Sequence, residues 1–221
     1  MNNAKCERKN NTKTKEGRRL MQINEDWKAI LKDLCQKNVF GKNKLEELEN
    51  ANFGAAILQW KQPNPRGLSP SKIVTSNGKI IRKQPGGFFQ KPMEEIVYAC
   101  SRISKKEKKM SINNHISQDF HDKMIVIEKK KEDFGYNHLN VDDYRSIGIG
   151  HERHNDVEAK ILEYITDFVE KKSISEFTVH LFTQLEPCLS CDYVIIKFTE
   201  RFPKSNMYLY YEEAYNKLII P

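Results

Sequence analysis

The chain has 221 residues, 38% of them hydrophobic and 30% charged, enough to bury one large domain or one domain with appendages. Apolar runs such as Met124–Ile127 and Tyr193–Ile196 are four residues long, far short of the roughly 20 that cross a bilayer, and Met1–Leu20 lacks the apolar core of a signal peptide. The expected location is therefore the cytoplasm, the cell's own or that of a target cell into which the chain is delivered. Net charge is +7, of which residues 1–19 supply +5: seven Lys/Arg, among them Arg18 and Arg19, against Glu7 and Glu16.

In chain order, residues 1–20 are polar and without apolar periodicity, and are expected to form a disordered basic arm outside the fold. Trp27, Ile30, Leu31 and Leu34 recur at helical spacing, and Leu45, Leu48 and Ala51 continue into a second short helix. Ile73–Val74 and Ile80–Ile81 flank Asn77–Gly78, which predicts a hairpin. Met93–Ile103 offers Ile96, Val97 and Cys100 as a helical face. A second basic cluster follows, Arg102, Lys105, Lys106, Lys108 and Lys109 against Glu107. Both basic segments fit either solvated surface or contact with a phosphate backbone, and the region 21–115 is expected to end in this polar stretch.

From residue 116 the rhythm changes. Met124–Ile127 and Tyr144–Gly150 are predicted strands, the latter followed by a turn. Ile161, Leu162, Ile165, Phe168 and Val169 form one stripe of a helix that starts at Val157, with Asp156 suited to cap it. Phe177–Thr183 is a predicted strand, and a helix after Pro187 buries Val194, Ile195, Phe198 and Phe202 before Pro203 stops it. Met207–Tyr211 is the last strand. Alternating strands and helices of this length imply right-handed crossovers and parallel pairing in an α/β sheet.

Five cysteines make a poor disulfide framework, since Cys6, Cys35 and Cys100 stand isolated. Cys188 and Cys191, in Pro187-Cys188-Leu189-Ser190-Cys191, open a predicted helix, and Glu158 opens the preceding one. Two such helix starts facing each other direct both thiolates into one cleft, where they can hold Zn²⁺ with one further ligand and leave a position for water. A carboxylate two residues beyond that third ligand would stand beside the water without binding the metal, the position Glu158 takes relative to Asp156. Other readings of these residues stand beside this one: a redox pair or half of a zinc ribbon for the cysteines, a helix cap for Asp156, and an ordinary first-turn glutamate for Glu158. His154 is the rival third ligand, although its spacing from Glu158 is longer.

Asp156-Val157-Glu158, the helix it opens, the strand through Thr183 and the Pro187-Cys188-Leu189-Ser190-Cys191 segment together resemble the zinc-dependent cytidine deaminase superfamily over roughly residues 120–215. Its signature is H-x-E followed by P-C-x-x-C. These residues look like the bacterial polymorphic-toxin branch of that superfamily, in which Asp or Cys can replace the histidine. The resemblance implies a three-layer α/β/α domain over 116–221 and a Zn²⁺ cofactor on Asp156, Cys188 and Cys191. It also implies hydrolytic deamination, with Glu158 moving protons. A carboxylate in place of the imidazole takes the formal charge of the metal with its three ligands from 0 to −1, which weakens the metal as a Lewis acid.

The substrate class implied is cytosine, or else adenine, in single-stranded DNA or RNA, whose bases need no unstacking. A toxin or effector role would bring an immunity protein as a partner. His151, His154, Phe182 and Tyr208 are candidates to stack on the base, though aromatics at strand spacing also serve as core. Two other functions fit the same residues. A deaminase of free nucleosides or nucleotides would be insensitive to salt and to loss of residues 1–20, and an inactive zinc-stabilised nucleic-acid-binding module would tolerate Glu158→Ala but not Cys188→Ser.

Overall fold

A computed structural model describes residues 5–10, 13–37, 44–61, 72–74, 80–82, 92–103, 122–126 and 155–213. Five strands form one mixed sheet in the order β1-β7-β6-β2-β5: β1 (Lys5–Asn10), β7 (Asn206–Glu213), β6 (Phe177–Leu185), β2 (Phe53–Trp60) and β5 (Met93–Cys100). β6 pairs with β7 in parallel, and β7 with β1 in parallel, whereas β2 runs antiparallel to both β5 and β6. The short strands β3 (Lys72–Val74) and β4 (Ile80–Arg82) form the expected hairpin, with Ile73 opposite Ile81.

Period-two alternation sorts the strand residues into two faces. Val179, Leu181, Met207, Leu209, Ala56, Leu58, Val97 and Ala99 pack beneath α3 (Val157–Lys171) and α4 (Leu189–Arg201). Ala55, Ile57, Phe182 and Tyr210 pack on the other side against Leu20 of α1 (Lys15–Gln36). Trp27, Leu31 and Leu34 extend that α1 stripe onto Leu48 of α2 (Lys44–Glu49), Phe53, Cys100 and Met124. The result is the expected three-layer α/β/α arrangement, and α4 is the crossover joining parallel β6 and β7. Among the described residues no helix is long and apolar enough to cross a membrane.

Three features differ from the sequence expectations. Residues 5–10 form an edge strand paired with all of 206–211, and α1 starts at Lys15 with Thr14 as cap, so much of the expected arm lies within the fold. Polar composition conceals an edge strand because edges favour lysine and charge. Met93–Cys100 is a strand and not a helix, with Val97 and Ala99 buried under α3 and Ile96 and Tyr98 on the α1 face. The neighbouring β2 captures this β-branched segment, a tertiary pairing that local spacing does not reveal. Because β2 and β5 belong to the same sheet as β6 and β7, the fold crosses the boundary expected between 115 and 116. At Met124–Ile127, Met124 makes a single parallel bridge to Tyr98. The strand expected at Tyr144–Gly150 lies outside the described residues.

Candidate metal centre and active site

The starts of α3 and α4 meet above the ends of β6 and β2. Asp156 occupies the cap position of α3 in an extended conformation, and its carbonyl accepts the first helical bond from Lys160 N–H at 3.1 Å. Its carboxylate, however, makes no capping hydrogen bond. It turns to the cysteines instead: Oδ2 lies 3.4 Å from Cys188 Sγ and 3.1 Å from Cys191 Sγ, and the two sulfurs are 3.4 Å apart. Cys188 caps α4 in the same manner, its carbonyl accepting from Asp192 N–H at 2.8 Å. The positive ends of two helices therefore face three groups that carry negative charge once the thiols lose their protons. The three ligand atoms lie within 4.8 Å of one another, and among the described residues this is the one cluster of its kind.

Glu158, in the first turn of α3, is 1% exposed, and its Oε2 has no hydrogen-bond partner among the described residues. Burial, reinforced by the charges of Asp156 and Cys188, pushes its carboxyl well above the usual range. The Cys191 thiol is also pushed well up, first by its hydrogen bond with Cys188, then by burial and the charges of Asp156 and Glu158. Both shifts share one origin, several acidic groups gathered in a buried space, a condition that a divalent cation relieves. The donor set of two sulfurs and one carboxylate oxygen suits Zn²⁺.

The supports of this cluster come from distant parts of the chain. Gly54 on β2 admits α3 so closely that a Cβ there would stand 2.9 Å from the Phe182 carbonyl oxygen and 3.0 Å from Val157 Cγ2. Lys160 is completely buried and donates from Nζ to the carbonyls of Cys100 and Ile103, each at 2.9 Å, tying α3 to the end of β5. The Thr183 hydroxyl donates to the Leu185 carbonyl at 2.7 Å, and Leu185 N–H donates to Asn52 Oδ1 at 3.2 Å, fixing the strand end that leads into Pro187. Arg8 on β1 pairs with Glu186 and Asp192, which flank the two cysteines. Sequence reading missed these residues. A lysine in an apolar helix carries some signal, but the partners of Arg8, 178 and 184 positions away, leave none.

Of the other candidates, Phe182 is buried against Leu20 and Ala55, and Tyr208 stacks on His180 with ring centroids 5.0 Å apart. Both belong to the α1 face, opposite α3 and α4, so they serve the core and not the cleft. Arg19 forks onto Glu94, at the end of the sheet remote from the cysteines, and Arg18 stands beside it on α1. Both thus lie at the end of the sheet away from the cysteine cleft. His151, His154, Lys105, Lys106, Lys108 and Lys109 lie outside the described residues.

No curated protein and no solved structure gives a significant match to the chain. A family model does: the toxin deaminases, described as the BURPS668_1122 family of deaminases, match residues 93–213. That span is more than half of the chain and runs from β5 through β7, taking in Asp156, Glu158 and both cysteines. The strand-helix-strand-helix-strand frame and the matched span thus coincide, and the chain belongs to the toxin-deaminase family of hydrolytic deaminases.

Proposed function

We propose that the chain is a zinc-dependent nucleobase deaminase that acts on cytosine in single-stranded nucleic acid, as a toxin or effector. The observation that carries this reading is the turn of the Asp156 carboxylate away from its helix and onto both thiols, beside a buried Glu158 with an oxygen that no described residue partners. Asp156, Cys188 and Cys191 would hold the zinc. Zinc bound there supplies Lewis acidity that lets a water lose its proton near neutral pH.

Glu158 is assigned the proton transfers. It accepts the two protons of the water in turn, passing the first to the ring nitrogen and the second to the departing amine, so that cytosine and water give uracil and ammonia. Nucleic-acid backbone contacts are assigned to the 102–109 cluster. Arg102 stands at the cysteine end of the sheet, next to the Ile103 carbonyl that Lys160 holds. With Phe182 and Tyr208 on the far face, contacts to the base are assigned to His151 and His154, which precede α3 in the chain.

The test is mass-spectrometric detection of deamination in a mixed pool of single-stranded DNA, RNA and free nucleosides, with Glu158→Ala as the control. Conversion of cytosine in a polymer by wild type alone is the expected result. Conversion confined to free nucleosides would overturn the polymer substrate, and no conversion by folded, zinc-loaded protein would overturn the enzymatic reading.

A further inference from the structure

We propose that Arg8 is a positioning residue for the cysteine ligands, a clamp from the first strand that fixes the Cys188–Cys191 segment for metal binding. Arg8 pairs in register with Leu209 of β7, and parallel pairing places both side chains on the α3–α4 face. From there its guanidinium forks: Nη1 donates to Glu186 Oε1 at 2.7 Å and Nη2 to Asp192 Oδ1 at 2.8 Å. Glu186 stands two residues before Cys188 and Asp192 one residue after Cys191. One rigid planar group thus joins the two ends of the segment that carries both thiols.

Charge gives the clamp a second task. Asp156, Glu158, Glu186 and Asp192 gather near two cysteines that must lose protons to bind a metal. A guanidinium remains charged at any working pH, so it offsets the repulsion between the Glu186 and Asp192 carboxylates that would otherwise spread the segment. The carboxylate side chains are 13% and 24% exposed and that of Arg8 42%, so water screens the charges in part and the fork geometry carries the clamp. Glu186 N–H also donates to the Glu213 carbonyl at 2.8 Å, so the clamp and the β7 end hold the same loop. The first strand, at the far end of the sequence from the cysteines, becomes part of the support of the site.

This inference rests on the zinc reading above. Zinc affinity of the full chain, measured by competition with a chromophoric chelator, tests it without recourse to activity. Arg8→Gln is expected to weaken zinc binding about 10- to 100-fold, the range seen when a ligand's supporting partner is removed. Arg8→Lys, which keeps charge without the fork, should recover part of the loss. In a Glu186→Gln, Asp192→Asn background, Arg8→Gln should have no further effect. Equal affinity of wild type and Arg8→Gln would overturn the clamp alone, as would a loss that Arg8→Lys does not relieve. If Arg8→Gln does not fold, Asp192→Asn releases one prong, and its unchanged affinity would overturn the clamp. Failure of the wild-type chain to bind zinc would overturn the metal site and the clamp together.

Discussion

The carboxylate of Asp156 lies 3.1 Å from the thiol of Cys191, 35 residues away, although its backbone stands where a helix cap stands. A capping aspartate would spend its oxygens on the N–H groups of the first turn of α3, and this one does not. Asp156→Ala therefore removes little from the metal-free fold, less than the roughly 1 kcal/mol of an ordinary cap. Its effect on zinc should exceed the roughly 10- to 100-fold of a lost supporting partner, because a ligand itself is gone. Urea unfolding of the metal-free protein and zinc titration separate the two quantities. A large loss of stability with unchanged zinc affinity would return Asp156 to the role of a cap.

Asp156→His is expected to act in the opposite direction on catalysis. A neutral imidazole brings the formal charge of the bound centre from −1 to 0 and strengthens the metal as a Lewis acid. The turnover of deamination should rise if the imidazole reaches the space the carboxylate now fills, with zinc content measured in parallel. Turnover that falls at full zinc occupancy would mean that the site is shaped around the carboxylate.

Glu158→Gln preserves shape and removes the proton carrier. Deamination should fall by about 10²- to 10⁴-fold, the contribution of a positioned acid-base group, while zinc content and the unfolding midpoint stay near wild type. Retained activity would transfer the proton work to another residue.

What sequence alone reveals of this site depends on how local each signal is. Asp156, Glu158, Cys188 and Cys191 sit at helix starts defined by short-range pattern, and α3, α4, β6 and β7 fall where the periodicity of 157–211 places them. β5 was misread because Ile96, Val97 and Cys100 satisfy a helical spacing, while its true partner, β2, is joined to it by more than 30 residues of chain. The face of β6 that meets the active cleft is equally hidden. His180 and Phe182 alternate with Val179 and Leu181, and only the position of α1 decides which pair turns away. Arg8 and the first strand belong to the same class of long-range fact.

Deletion of residues 1–12 tests that first strand directly. It strips β7 of the partner that runs beside Asn206–Tyr211 and should cost about 2–4 kcal/mol, given roughly 1 kcal/mol net for each ladder hydrogen bond lost. The unfolding midpoint should drop and proteolysis accelerate. An unchanged transition would show that residues 5–10 behave as a solvated arm.

Lys160 is completely buried, and its ammonium serves the carbonyls of Cys100 and Ile103. Lys160→Met keeps the stem and its packing but leaves both carbonyls without that donor. The expected loss is roughly 1–3 kcal/mol in urea unfolding, because the Cys100 carbonyl keeps the Ile103 N–H at 3.2 Å while the Ile103 carbonyl loses the ammonium. A neutral substitution would mean that other donors or water already satisfy those carbonyls.

Gly54 connects packing to chemistry most directly. A Cβ there would meet the Phe182 carbonyl oxygen at 2.9 Å and Val157 Cγ2 at 3.0 Å. The first contact is with sheet backbone and cannot yield without disturbing the β2–β6 ladder, so the movable neighbour is Val157, the first residue of α3. Gly54→Ala should therefore push the start of α3 outward, at about 1–3 kcal/mol of stability for an overpacked core position. Asp156 and Glu158 flank Val157 and would move with it. Deamination and zinc affinity should both fall by more than the stability loss alone accounts for at temperatures where the variant is fully folded. If activity per folded molecule is unchanged, β2 and α3 have more slack than these distances allow, and the tight seat of α3 is not what sets the position of Asp156 and Glu158.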